Sequence, residues 1–242
     1  VSTFHSLGVH IIKENSGLLG IPRHFTIYDR GDSKKAVKDA LEEIGLDTKQ
    51  YEPGAILNAI SREKSDGMTF QTYKNLQKEY FQKIVANVWE KYEKTLEKEK
   101  SLDFDDLLLK TVGLLRQFPE IQSKYGNIWK YIHVDEYQDT NRVQYEIVSL
   151  LSEKNRNICV VGDHDQNIYS WRGSDITNIL NFEKEYPEAK VITLEENYRS
   201  TQTILTAANN VIKKNIMRRE KNLFTKNAEG EKIELIISYT EQ

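Results

Sequence analysis

Three short apolar runs, at residues 131–134, 158–161 and 191–194, each stop at a cluster of acidic or polar side chains, and stretches with helical spacing at 144–151 and 175–186 separate them. Strands that alternate with helices predict an α/β fold built on a parallel, doubly wound sheet. In such sheets a ligand sits beyond the carboxyl ends of the strands. The residues directly after each run are therefore where chemistry is expected.

With 242 residues and 38% apolar side chains, the chain can bury a real core, which excludes intrinsic disorder and disulfide miniproteins. No apolar run approaches the roughly 20 residues of a membrane span. The start, Val1-Ser2-Thr3-Phe4-His5, lacks the basic and apolar segments of a secretion signal. A soluble, cytoplasmic protein without membrane partners is expected. The lone cysteine, Cys159, allows no internal disulfide and no Cys-rich metal site, and its apolar neighbours predict a small buried hydrophobe. Basic and acidic residues nearly balance, 34 against 37, so any contact with a polyanion has to come from local groups.

Phe4, Leu7, Ile11 and Ile12 share one face of an opening helix. Residues 28–100 read as a helical module, with helices at 34–44 and 55–64 and then a long stretch carrying Phe70, Tyr73, Tyr80, Ile84, Val88 and Tyr92 on one stripe. Pro53-Gly54 and Ser65-Asp66-Gly67 punctuate it. Opposite charges are interleaved along the module, as on a solvated helical surface. The strand and helix alternation begins after Asp103-Phe104-Asp105-Asp106-Leu107, and residues 233–237 read as a further strand.

The first run delivers Asp135-Glu136-Tyr137-Gln138-Asp139-Thr140. Paired carboxylates at a strand end suit nucleotide hydrolysis, in which one holds Mg²⁺ and the other orients or deprotonates water. Capping of the helix near Gln144 by the same two acids is the competing reading. After the second run comes Gly162-Asp163-His164-Asp165-Gln166-Asn167-Ile168-Tyr169-Ser170-Trp171-Arg172-Gly173. Gln166 can donate to a phosphate oxygen, and Tyr169, Trp171 and Arg172 combine stacking faces with a guanidinium suited to a phosphodiester. Core packing of the two rings is the bland alternative, and His164 has no second histidine at ligand spacing. The third run leads into Asn197-Tyr198-Arg199-Ser200-Thr201, where an arginine can reach a terminal phosphate, the tyrosine can cover a base, and Ser200 or Thr201 can cap a helix running to Asn215.

In this order the three blocks resemble motifs II, III and IV of the UvrD/PcrA/Rep family of superfamily 1 DNA helicases. Thr3-Phe4-His5-Ser6 is similar to the family's motif Ib region, and Asp103-Phe104-Asp105-Asp106-Leu107-Leu108 to another of its hallmarks. The resemblance implies a RecA-like core, incomplete here, with an all-helical insertion. Residues 1–27 and 101–195 would form parts of the first core, 28–100 the insertion, and 196–242 the start of a second core. It further implies that Asp135 binds Mg²⁺, that Glu136 is the catalytic base, that Gln166 and Arg199 contact the γ-phosphate of ATP, and that Tyr198 stacks on adenine. Phe4, His5, Tyr169, Trp171 and Arg172 would line a single-strand path, with Asp139 and Asp163 in support. The implied partners are single-stranded DNA, duplex–single-strand junctions and repair or replication proteins, with 3′-to-5′ polarity.

One departure stands out. None of the 12 glycines is followed by lysine, so no Gly-x-x-x-x-Gly-Lys-Ser/Thr loop cradles a triphosphate. The family carries that loop ahead of its motif Ib, which is the pattern expected of a fragment, and the chain alone is expected neither to hydrolyse ATP nor to unwind DNA. Two other functions fit parts of the pattern. One is a metal-dependent nuclease built on Asp135, Glu136, Asp139, Asp163 and Asp165, which would leave the aromatic block without a use. The other is a non-enzymatic module that holds single strands or a protein partner.

Overall fold

The computed structural model describes residues 1–76, 79–216 and 221–237. It divides into two compact units, Val1–Gly162 with Asn167–Ile179, and Asp163–Gln166 with Leu180–Gln242.

In the first unit, helix α1 (Phe4–Glu14) starts at Thr3, whose hydroxyl accepts from the Ser6 N–H. Ile11 and Ile12 are fully buried on its inner face, and Phe4 and Leu7 are partly so. Strand β1 (Thr26–Ile27) then leads into the helical module of α2 (Arg30–Glu43), α3 (Pro53–Ser65), α4 (Phe70–Leu76) and α5 (Tyr80–Glu99). Pro53 opens α3 rather than ending a preceding helix, because a residue in the first turn loses nothing by lacking an N–H. The expected single stripe is divided between α4 and α5. Ile84, Val88, Trp89 and Tyr92 join Val37, Leu41, Ile56 and Ile60 in one core, whereas Tyr80 is 72% exposed at the first turn of α5.

The module closes on itself. Strand β2 (Ser101–Leu102) lies parallel to β1, with Thr26 opposite Ser101 and Ile27 opposite Leu102, and the Tyr28 N–H donates to the Leu102 carbonyl. Two residues per strand carry too little pattern to be predicted from sequence. Helix α6 (Phe104–Gln117) follows under a capping box in which Asp103 accepts from the Asp106 N–H and Asp106 from the Asp103 N–H. Its apolar face packs with α1, α7 (Pro119–Ile128) and α8 (Arg142–Ser152) around Ile11, Val112, Leu115, Tyr125 and Ile147.

Beside this core, β3 (Ile132–Val134) and β4 (Ile158–Val160) form a second parallel pair, with His133 opposite Cys159. Both of those side chains are exposed, which corrects the expectation of a buried cysteine. Cys159 shares the exposed face of the pair with His133, so an apolar run does not bury every residue in it. The predicted helix at 175–186 is two short ones, α9 (Thr177–Leu180) and α10 (Phe182–Glu185).

In the second unit, residues 191–194 and 233–237 form no strand, in contrast to the expectation. Ile192 and Leu194 are 70% and 80% exposed, and a strand without a hydrogen-bonded neighbour does not satisfy its backbone. Among the described residues, the regular elements downstream are α11 (Gln202–Ile212), shorter than expected, and one bridge between Glu196 and Phe224. Among the described residues no helix is long and apolar enough to cross a membrane.

Candidate active site

Both β3 and β4 end at the same edge of the first unit, and the chain turns sharply after each. After β3, Asp135 and Glu136 are exposed, and Glu136 takes a left-handed backbone conformation (φ 50°) that is costly for a residue with a side chain. The Glu136 N–H donates to Asp135 Oδ1 at 2.9 Å, and Glu136 Oε2 accepts from the Gln138 amide at 2.8 Å. The same amide reaches Asp139 Oδ2 at 3.3 Å. Burial and the neighbouring Glu136 raise the Asp139 carboxyl above its ordinary value, and its Oδ1 is buried without a hydrogen-bond partner among the described residues.

Helix α8 does not use these acids as its cap. Asn141 accepts from the Gln144 N–H at 2.9 Å and Gln144 returns the bond at 3.0 Å, so the helix is already closed five residues after Glu136.

The loop after β4 is fastened to the loop after β3. Asn167 donates to the Gln138 carbonyl at 2.6 Å and to Ser174 Oγ at 3.1 Å, Ser174 bridges Asn141, and the Asp175 N–H donates to the Thr140 carbonyl. Asn178 adds two bonds to Thr140. Between these ties the chain makes a 3₁₀ turn, Ser170–Arg172, ended by Gly173 at φ 84°. Trp171 is 72% exposed on that turn and Tyr169 is 40% exposed before it, so neither ring is a core aromatic. The Arg172 side chain lies outside the described part of the structure.

Of the two N-terminal candidates, Phe4 packs half-buried against the α1–α6–α8 core. His5 meets Phe104 edge-on at 5.5 Å between ring centroids, and burial lowers its pKa. Phe104 is a residue that the sequence reading quoted within a family hallmark but gave no role. Helical spacing puts it on the same face as Leu107, Leu108 and Thr111, which are buried, yet it stays half-exposed at the first turn of α6 beside His5. A phenylalanine set between two aspartates was the available signal.

In the second unit, Gln166 is exposed and its amide donates to Asp163 Oδ2 at 2.8 Å. Burial pushes the Asp163 carboxyl up, but Lys221, Gln166 and the Asp165 N–H overrule it and hold the pKa below the usual range. Lys221 also pairs with Asp165 at 3.2 Å. Asp163, His164 and Asp165 are the one group among the described residues whose ligand atoms lie close enough to share an ion, and the Lys221 ammonium already answers the charge of its two carboxylates. Asp135, Glu136 and Asp139 make no such group. Further along, the Asn197 carboxamide accepts from the N–H groups of Arg199 and Ser200, at 3.0 and 2.7 Å, in an Asx turn that leaves Tyr198 79% exposed. Arg199 is exposed as well. The Tyr198 hydroxyl donates to Glu196, which raises its pKa. Thr201 occupies the N-cap position of α11 but makes no side-chain capping bond.

Two family models match the chain, that of the UvrD/REP helicase N-terminal domain over residues 1–187 and that of the UvrD-like helicase C-terminal domain over residues 192–242. The whole chain is 48% identical to a protein of Staphylococcus aureus (strain Mu50) named ATP-dependent DNA helicase PcrA, and 47% identical to one of the same name from Staphylococcus epidermidis (strain ATCC 12228). In both cases all of this chain aligns to 33% of the relative, so it spans about a third of the length of the curated relatives it matches. The paired carboxylates and exposed rings at the two strand ends fall within the N-terminal model, and the two models together cover the chain almost end to end: the chain belongs to the UvrD/REP helicase family.

Proposed function

We propose that this chain is part of an ATP-dependent DNA helicase that moves 3′-to-5′ along single strands and opens the duplex at junctions during repair or replication in the cytoplasm. The observation that carries the reading is the set of hydrogen bonds from Asn167, Ser174, Asp175 and Asn178, which fastens the exposed Tyr169–Trp171 turn to the loop bearing Asp135 and Glu136. A carboxylate pair fit for phosphate chemistry and a stacking surface fit for bases thus stand on two loops joined by hydrogen bonds.

In this reading residues 1–27 and 101–195 belong to one RecA-like core, with residues 28–100 inserted as a helical subdomain. The β1–β2 pairing supports that boundary by bringing the two ends of the insertion side by side. Residues 196–242 begin a second core. Asp135 is an exposed carboxylate at a strand end, the donor type a hard cation takes, and it would hold Mg²⁺. The ion supplies charge neutralisation at the phosphates when bound. Glu136 orients and deprotonates the attacking water, Gln166 and Arg199 contact the terminal phosphate, and Tyr198 covers the adenine. Tyr169 and Trp171, with Arg172, Phe4 and His5 and with Phe104 added, form the single-strand path. Since the chain lacks a phosphate-cradling glycine loop, it neither hydrolyses ATP nor unwinds DNA by itself.

The test is Glu136→Gln in the full-length protein that carries this segment. ATP binding is expected to persist while DNA-stimulated phosphate release disappears, and surviving turnover would overturn the role given to Glu136. Purified residues 1–242 are expected to show no DNA-stimulated ATP turnover in the same assay.

A further inference from the structure

We propose that Gln138 is a positioning residue for hydrolysis, a buried carboxamide that sets the direction of the Glu136 carboxylate. The proposal rests on the reading of Glu136 as the base. Glu136 itself is exposed and sits in a left-handed backbone conformation. Gln138, two residues on, is 1% exposed and donates to Glu136 Oε2 at 2.8 Å. A side chain so deeply covered cannot touch nucleotide or DNA, and it acts on the reaction only through the group it holds. A neutral amide suits that task. A lysine or arginine in the same place would fix the carboxylate equally well but would stabilise its charge and weaken it as a base.

The amide is itself held in place. The Gln138 backbone carbonyl accepts from Asn167 at 2.6 Å. On the other side lies Gly162, where a Cβ would stand 2.6 Å from Gln138 Oε1 and 2.9 Å from Ile179 Cδ1. Glycine two residues past β4 is therefore what leaves room for this orientation of the amide. The Gly-Asp pair after the strand is explained by a contact and not by backbone freedom, since Gly162 does not have a positive φ.

The experiment uses the full-length protein and three variants, Gln138→Met, Gly162→Ala and Glu136→Gln. The first removes the donor at similar volume, and the second keeps the glutamine but pushes its amide aside. Single-turnover hydrolysis at saturating ATP and single-stranded DNA is expected to fall about 10–100-fold in Gln138→Met. A smaller loss is expected in Gly162→Ala, and ATP and DNA dissociation constants should stay within about twofold of the parent in both, so that kcat falls and KM does not. A kcat within twofold of the parent for Gln138→Met, alongside an inactive Glu136→Gln, would overturn the positioning role and leave the base standing. Turnover by Glu136→Gln would instead strike the base assignment itself. Loss of binding together with kcat would reduce Gln138 to a packing residue. If Gln138→Met does not fold, Gly162→Ala decides alone, and an unchanged kcat there overturns the proposal.

Discussion

Lys64, near the end of α3, donates to Asp103 at the head of α6 over 2.8 Å, and the two are 1% and 4% exposed. Asp106 at 2.9 Å and Glu93 at 3.0 Å complete the shell, and the Tyr92 hydroxyl donates to Asp103. Burial weighs against the ammonium, but Asp106, Asp103 and Glu93 outweigh it and hold the Lys64 pKa well above the ordinary lysine value. One buried cation thus ties the helical module to the helix beneath it. Lys64→Met would leave the carboxylates uncompensated and should destabilise the chain by about 3–5 kcal/mol, as breaking one side of a buried pair does. Adding Asp106→Asn should return part of that loss. Urea unfolding followed by circular dichroism measures both, and an effect below about 1 kcal/mol for Lys64→Met would show the cluster to be dispensable.

The same neighbourhood holds more acid than base. Burial, and then Asp103, raise Asp105 from 3.8 to about 6. Its folded pKa lies above the unfolded one, so the folded chain binds the proton more tightly. That contribution to stability is fully present below about pH 3.8 and is lost as pH rises through about 6. Asp105→Asn, which cannot ionise, should therefore stabilise the chain at pH 7.5 by an amount on the order of 1 kcal/mol and make little difference near pH 4. Melting temperatures across that range report it, and a gain that grows toward acid would contradict the sign.

Helix α1 crosses α6 at Gly8, where a Cβ would come within 2.6 Å of the Leu107 carbonyl oxygen and 3.1 Å of Thr111 Oγ. Thr111 already donates to that same carbonyl at 2.6 Å, so neither atom can yield without loss. Gly8→Ala gains helix propensity but forces the helices apart, and a net destabilisation of about 1–3 kcal/mol is expected. A higher melting temperature in the variant would mean that the crossing is looser than these distances indicate.

Trp171 stands on a turn whose flanks are hydrogen-bonded at Asn167 and Ser174 and whose ring is mostly in solvent. Replacing it with alanine should leave unfolding nearly unchanged and weaken single-strand binding in the full-length protein by about 1–3 kcal/mol, the worth of one stacking platform. Fluorescence anisotropy with a short oligonucleotide separates this from a packing role, in which stability would drop and affinity would hold.

Much of the local structure could be read directly from residue order. The run ending at Val134 and the acids after it, and the apolar faces of α1 and α5, follow from short-range rules, because each depends on residues within one or two turns of one another. Chemistry-bearing side chains were legible for the same reason, since Asp135, Glu136, Tyr169 and Trp171 sit at predictable distances from apolar runs.

Residue order alone thus determined the opening helix, the helical character of residues 28–100 and the polar groups that follow the runs at 131–134 and 158–161. Tertiary structure alone decided that Lys64 is buried among carboxylates from α5 and α6, that Cys159 faces outward opposite His133, that Phe104 is half-exposed beside His5, and that Gly162 and Asn167 hold Gln138 against Glu136. Periodicity reports only that one face of an element is covered. It carries no record of what covers that face, because the partners lie tens of residues away and meet only once the elements have stacked.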